Sequence, residues 1–109
     1  MRIADSQALI CRTNGGDEYV LACPTCGNSY LHHGCVVVYQ RSEDAPRVLR
    51  TIIDDGIASI EWVENNRSAN PSARRHGLSI EFNCENCGHE NELTIAQHKG
   101  ETFVRWRYC

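Results

Sequence analysis

The sequence predicts a mostly β chain, an antiparallel sheet of hairpins with little helix. Three observations predict it. Apolar and polar residues alternate with period two along several short runs. Asp55-Gly56 and Lys99-Gly100 sit between such runs as two-residue turns. Two segments of the form Cys-x-x-Cys-Gly, Cys23-Pro24-Thr25-Cys26-Gly27 and Cys84-Glu85-Asn86-Cys87-Gly88, each follow a run that reads as a strand.

Taken in order, residues 1–16 fit either a short helix or an edge strand through Ile3, Leu9 and Ile10, with a turn at Asn14-Gly15-Gly16. Glu18–Ala22 is a strand leading into the first cysteine pair. Tyr30–Arg41, rich in Val and Tyr, is a strand with both faces partly covered: Val36 and Val38 on one side, Cys35, Val37 and Tyr39 on the other. Arg47–Ile53 and Ile57–Glu64 are the arms of a hairpin, because Asp-Gly accepts the positive φ that its turn requires. Asn65–His76 is polar, contains Asn70-Pro71-Ser72, and is expected to be an exposed loop. Leu78–Phe82 alternates into the second cysteine pair. Glu92–His98 and Thr102–Tyr108 close a last hairpin, with Thr102, Val104, Trp106 and Tyr108 on one face and Phe103, Arg105 and Arg107 on the other. Trp62 and Trp106 are both expected in the core.

The 109 residues contain no linker and no repeat beyond the two cysteine pairs, so residues 1–109 are expected to form one domain. A net charge of −3 and a pI near 5.9 argue mildly against indiscriminate nucleic-acid binding, for which a domain is usually strongly basic. The charge is uneven. Arg67, Arg74 and Arg75 lie in an acid-free stretch, and Lys99, Arg105 and Arg107 gather near the C-terminus. No run is long and apolar enough for a membrane helix, so no membrane partner is expected. The first residues, Met1 to Gln7, hold an acid and polar groups where a secretory signal is apolar. The expected compartment is therefore reducing and cytoplasmic. Seven cysteines there are metal ligands or free thiols rather than disulfides.

Cys23, Cys26, Cys84 and Cys87 are the expected metal ligands. Two residues between cysteines let one tight turn aim both sulfurs at a single ion, and the glycine that follows can take positive φ. Four thiolates at about 2.3 Å complete the closed tetrahedron of structural zinc. The 57 residues between Cys26 and Cys84 are no obstacle, because loop closure costs free energy only as the logarithm of length. An iron tetrathiolate is the alternative ion, as the pairs also resemble rubredoxin knuckles and Tyr30 follows the first one. A redox role for Cys23 and Cys26 would need a helix after them, whereas a Val-rich strand follows. A local set of Cys23, Cys26, His32 or His33, and Cys35 departs from the retroviral-type spacing and would leave Cys84 and Cys87 over. His89 is a further substitute ligand. Cys11 and Cys109 receive no role.

Two such knuckles entered from strands resemble the zinc ribbon family. The segments Cys23–Gly34, Asn70–Leu78 and Leu93–Trp106 also resemble short uncharacterised proteins of bacterial and phage genomes. The ribbon resemblance implies a scaffolding or recognition module, with Cys23, Cys26, Cys84 and Cys87 as the ligands; the second resemblance implies no activity. Four cysteines close the metal shell, so no catalysis is expected, and a small metalloenzyme is the least favoured reading. A protein partner comes first. A nucleic-acid partner comes second, gripped by Arg74, Arg75 and His76 in the loop and by Arg105 and Arg107 beside Phe103, since arginine forks suit phosphate and an aromatic beside them can stack a base.

Overall fold

The computed structural model describes residues 10–12 and 19–108. The expected turn at Asn14-Gly15-Gly16, Ile3, Leu9 and Cys109 lie outside the described residues, as does the side chain of Cys11. The chain is mostly β, and every strand pairing among the described residues is antiparallel. Strands β1 (Ile10–Arg12) and β2 (Tyr19–Leu21) pair with each other. The remaining strands form one six-stranded sheet: β3 (Leu31–Gln40), β4 (Arg47–Asp54), β5 (Ile57–Glu64), β6 (Gly77–Cys84), β7 (Glu90–His98) and β8 (Glu101–Tyr108).

The strand order is β5-β4-β3-β6-β7-β8, two three-stranded meanders joined along β3 and β6. Each meander turns where the sequence places a residue–glycine pair. Asp55 and Gly56 both have positive φ (49° and 76°), as do Lys99 and Gly100 (51° and 79°). That combination matches the twist of the strands it joins. The β3–β6 seam is what closes the fold. It pairs Leu31 with Cys84 at one end and Tyr39 with Gly77 at the other, with a bulge between His33 and Val36.

Directly opposed residues share a face and successive residues alternate. The registers therefore divide the sheet into two unlike sides. One carries Tyr39, Val48, Arg50, Ser79, Glu81, Glu92, Thr94, Arg105 and Arg107 and is rich in charge. The other is apolar across its middle, with Gln40, Arg47, Glu64, Gln97 and Thr102 toward the end away from the cysteine pairs.

The segment after β5 crosses the charged side, and here the structure departs from the expected exposed loop. It opens with a short helix, α1 (Asn65–Ser68), closed by Ala69 in the left-handed region (φ 66°). Ser68 and Ser72 are buried. A polar segment can lie against a sheet because its side chains satisfy its own backbone. Ser68 Oγ donates to Asn65 O and accepts from Asn70 N; Asn70 Oδ1 accepts from Ser72 N; Ser72 Oγ accepts from Arg75 N and donates to Gln97 O at 2.6 Å. Arg50, Arg41 and Arg107 donate to the carbonyls of Ser68, Ala73 and Ala69. The approach is so close that a Cβ on Gly77 would stand 2.8 Å from the Pro71 ring.

Of the two tryptophans, Trp106 is buried, edge-on to Phe82 at 5.7 Å. Trp62 is not in the core: it is 58% exposed, with the Arg47 guanidinium 5.6 Å from its ring centre. The reason is topological. Trp62 lies on β5, an edge strand, on the apolar side of the sheet.

Candidate metal centre

The two cysteine pairs stand at the same end of the sheet because the β3–β6 seam puts them there. The first lies between β2 and β3, the second between β6 and β7. Their backbones repeat one pattern. Cys23 N donates to Asn28 O and Gly27 N to Cys23 O, both at 2.8 Å; Cys84 N donates to His89 O at 3.1 Å and Gly88 N to Cys84 O at 2.9 Å. Gly27 and Gly88 have φ of 81° and 73°, where a side chain would be strained.

The four sulfurs converge: the Sγ atoms of Cys23, Cys26, Cys84 and Cys87 all lie within 4.8 Å of one another, a group able to hold a metal ion. The cross-knuckle separations are 3.8 Å for Cys23–Cys87 and 3.6 Å for Cys26–Cys84. A disulfide would need about 2.05 Å, and these cysteines are free thiols. A tetrahedron with metal–sulfur bonds of about 2.3 Å has edges of about 3.8 Å. The donor set is soft, suited to zinc or iron rather than to oxygen-seeking cations such as calcium or magnesium.

Neighbouring groups support charge on the sulfurs. Asn86 Nδ2 lies 3.5 Å from Cys26 Sγ, and buried Asn91 aims Nδ2 at Cys23 Sγ from 3.8 Å. The Asn86 hydrogen bond, helped by the Asn28 backbone, lowers the Cys26 thiol to about 6. Cys87 moves the other way, up to about 12. A backbone hydrogen bond at His89 pulls it down, but desolvation and the three neighbouring cysteines outweigh that pull. The Cys26 thiol thus ionises before that of Cys87, as expected where like groups are crowded together. The knuckles are also latched together: His32 Nε2 meets Glu85 Oε2 at 2.8 Å, and Glu85 N donates to Tyr30 O at 3.0 Å. Asn86, Asn91 and Glu85 were not among the residues that spacing picked out, and His32, weighed there as a ligand, pairs with Glu85 instead of joining the cluster. Asn and Glu between or beside cysteines read as ordinary turn residues until the turn is folded against its partner.

His33 and Cys35 are not part of the cluster. His33 is exposed and packs edge-on near Phe82 at 6.4 Å. Cys35 is half-buried, its thiol raised by burial and by Asp54, Glu81 and Glu92 on the charged side.

The basic residues lie elsewhere, on the charged side, and most are engaged. Arg74 meets Asp44 at 2.5 Å and Glu43 at 3.3 Å, and Arg75 meets Glu43 at 3.0 Å. The Arg74 hydrogen bond holds the Asp44 carboxyl below its usual range and raises Arg74 in return. His76 Nδ1 accepts from Arg41 N at 2.9 Å. Arg107 pairs with Glu92 at 3.1 Å, and Glu92 also accepts from Ser79. Arg105 lines a shallow hollow with Phe103 and His98 against Pro71–Ala73. The fold thus brings the loop and β8 together, as one surface in which Arg74, Arg75 and Arg107 are paired with Glu43, Asp44 and Glu92.

No family model matches this sequence, and no curated protein or solved structure matches it either. Among the described residues, no helix is long and apolar enough to cross a membrane.

Proposed function

We propose that this chain is a zinc-stabilised binding protein of the zinc-ribbon kind, cytoplasmic and without catalytic activity, that works by engaging a protein partner. The observation that carries the reading is the sulfur geometry: two cross-knuckle distances of 3.8 and 3.6 Å against a tetrahedral edge of about 3.8 Å. Four protein thiolates leave no open position for substrate or water. The role of such a metal is to hold the β2–β3 and β6–β7 connections together, and free thiols of this kind require a reducing compartment. A protein partner is favoured over nucleic acid because Arg74, Arg75 and Arg107 are already matched by Glu43, Asp44 and Glu92. The proposal includes a regulatory role in a bacterial or phage genome; the resemblance of three segments to short proteins of such genomes supports that setting but implies no activity.

Metal analysis of protein purified under reducing conditions tests the metal reading. One equivalent of zinc per chain in colourless protein is expected, lost in Cys26→Ser. A red protein with sulfur-to-iron charge-transfer absorption would replace zinc by iron. No bound metal after zinc supplementation would overturn the reading.

A further inference from the structure

We infer that the apolar side of the six-stranded sheet is a self-association surface, covered by the same side of a second copy of this chain. The registers define it. One line across all six strands runs Ile60, Thr51, Val38, Leu78, Ile95 and Val104. The adjacent line, from Ala58 to Trp106, is apolar throughout. Neither line holds a charge. Apart from the end beside the metal cluster, where Trp106 and Asn91 are buried, this side is open: Ile60 is 68%, Trp62 58% and Val104 42% exposed. The opposite side has α1 and the segment after it; among the described residues, this one has no comparable cover. Stable domains are built of at least two layers because an apolar sheet face must be buried against something.

Area and charge select the occupant. Six strands about 4.8 Å apart, over the two lines and the row of Leu49 and Trp62 beyond them, about 6.7 Å apart, give a face of at most roughly 29 by 20 Å, or about 600 Å². Two copies would bury about 1,200 Å², the lower bound for a specific protein interface. A face this size is at the upper end of what monomers leave uncovered. Because its interior lacks charge, it offers nothing to select a charged peptide and nothing to repel its own copy. Its margin carries both signs, with Arg47 directly opposite Glu64, so no single-sign field at the rim opposes a second copy. Two twisted sheets packed face to face about 10 Å apart would form a sandwich.

Sedimentation velocity of the metal-loaded protein from 1 to 200 µM tests the inference. The wild type should shift toward twice its 12.3 kDa mass as concentration rises. Ile60→Asp should weaken dimerisation at least tenfold while retaining one metal equivalent and the wild-type circular dichroism, since its side chain is already mostly in water. Ile57→Asp is the control. Ile57 is 71% exposed on the same edge strand but on the charged side, so that variant should dimerise like wild type. A monomer at 200 µM overturns the inference. Equal sensitivity to both substitutions also overturns it, in favour of edge-to-edge pairing of β5.

Discussion

Replacing Cys84 by Ser removes one sulfur from the cluster and little else. Cys84 ends β6, is 1% exposed, and lies opposite Leu31 in the seam that joins the two meanders. Structural zinc sites contribute about 10–16 kcal/mol of apparent free energy, so one ligand of four accounts for roughly 3–4 kcal/mol. One kcal/mol shifts the melting temperature of a domain this size by about 4–8 °C, which places Cys84→Ser about 12–30 °C below the wild type. Circular dichroism melts with and without a zinc chelator separate metal loss from simple core damage. The chelator should bring the wild type below the untreated variant, and should lower the variant by less than the wild type, because three remaining ligands keep part of the metal's contribution. Cys35→Ser, at a half-buried thiol outside the cluster, should shift the melt by only a few degrees and keep the chelator response. A wild type that melts identically with and without chelator would refute the argument, as would a Cys84→Ser protein that retains a full metal equivalent with wild-type stability.

Two further outcomes follow from the charged side of the sheet. Gly77→Ala forces a methyl to within 2.8 Å of the Pro71 ring, so it should cost about 1–3 kcal/mol as over-packing does; a melt within 2 °C of wild type would show that the 65–76 segment yields freely. Glu81 faces Glu92 directly across β6 and β7, and burial, then Glu90, Asp54 and Glu92, raise its carboxyl above the ordinary value. A carboxyl raised on folding costs stability when ionised, so the cost is present above its folded pKa and vanishes below the ordinary unfolded value near 4.3. Glu81→Gln should therefore stabilise the protein at pH 7 by up to about 1 kcal/mol, the size of a cross-strand charge pair. The gain over wild type should disappear by about pH 4; urea midpoints at the two pH values measure it, and an equal gain at both would exclude the electrostatic explanation.

The candidate metal centre was legible because its information is local. A Cys-x-x-Cys-Gly turn carries its own geometry, with glycine accepting the φ of 81° or 73° that finishes it, and chemistry requires the two turns to meet. What stabilises the sulfurs was not legible. Asn91 reaches Cys23 across 68 positions and Asn86 reaches Cys26 across 60, and no periodicity marks such pairs. The basic loop shows the same limit: Arg74 and Arg75 stand in an acid-free stretch of sequence, yet meet Glu43 and Asp44 some 30 residues earlier.

By itself the sequence determined the elements. Period-two alternation and the pairs Asp55-Gly56 and Lys99-Gly100 fixed the strands and their hairpins, because both signals depend only on neighbours in the chain. Tertiary structure decided how the two meanders join. The β3–β6 pairing of Leu31 with Cys84 brings the knuckles to one end, leaves Trp62 on an edge, and draws the Asn65–His76 segment onto the charged side. Two strands with 36 residues between them can pair in many registers on local grounds. Only the closing of four sulfurs together with the burial of Tyr39 against its own side of the sheet selects this one.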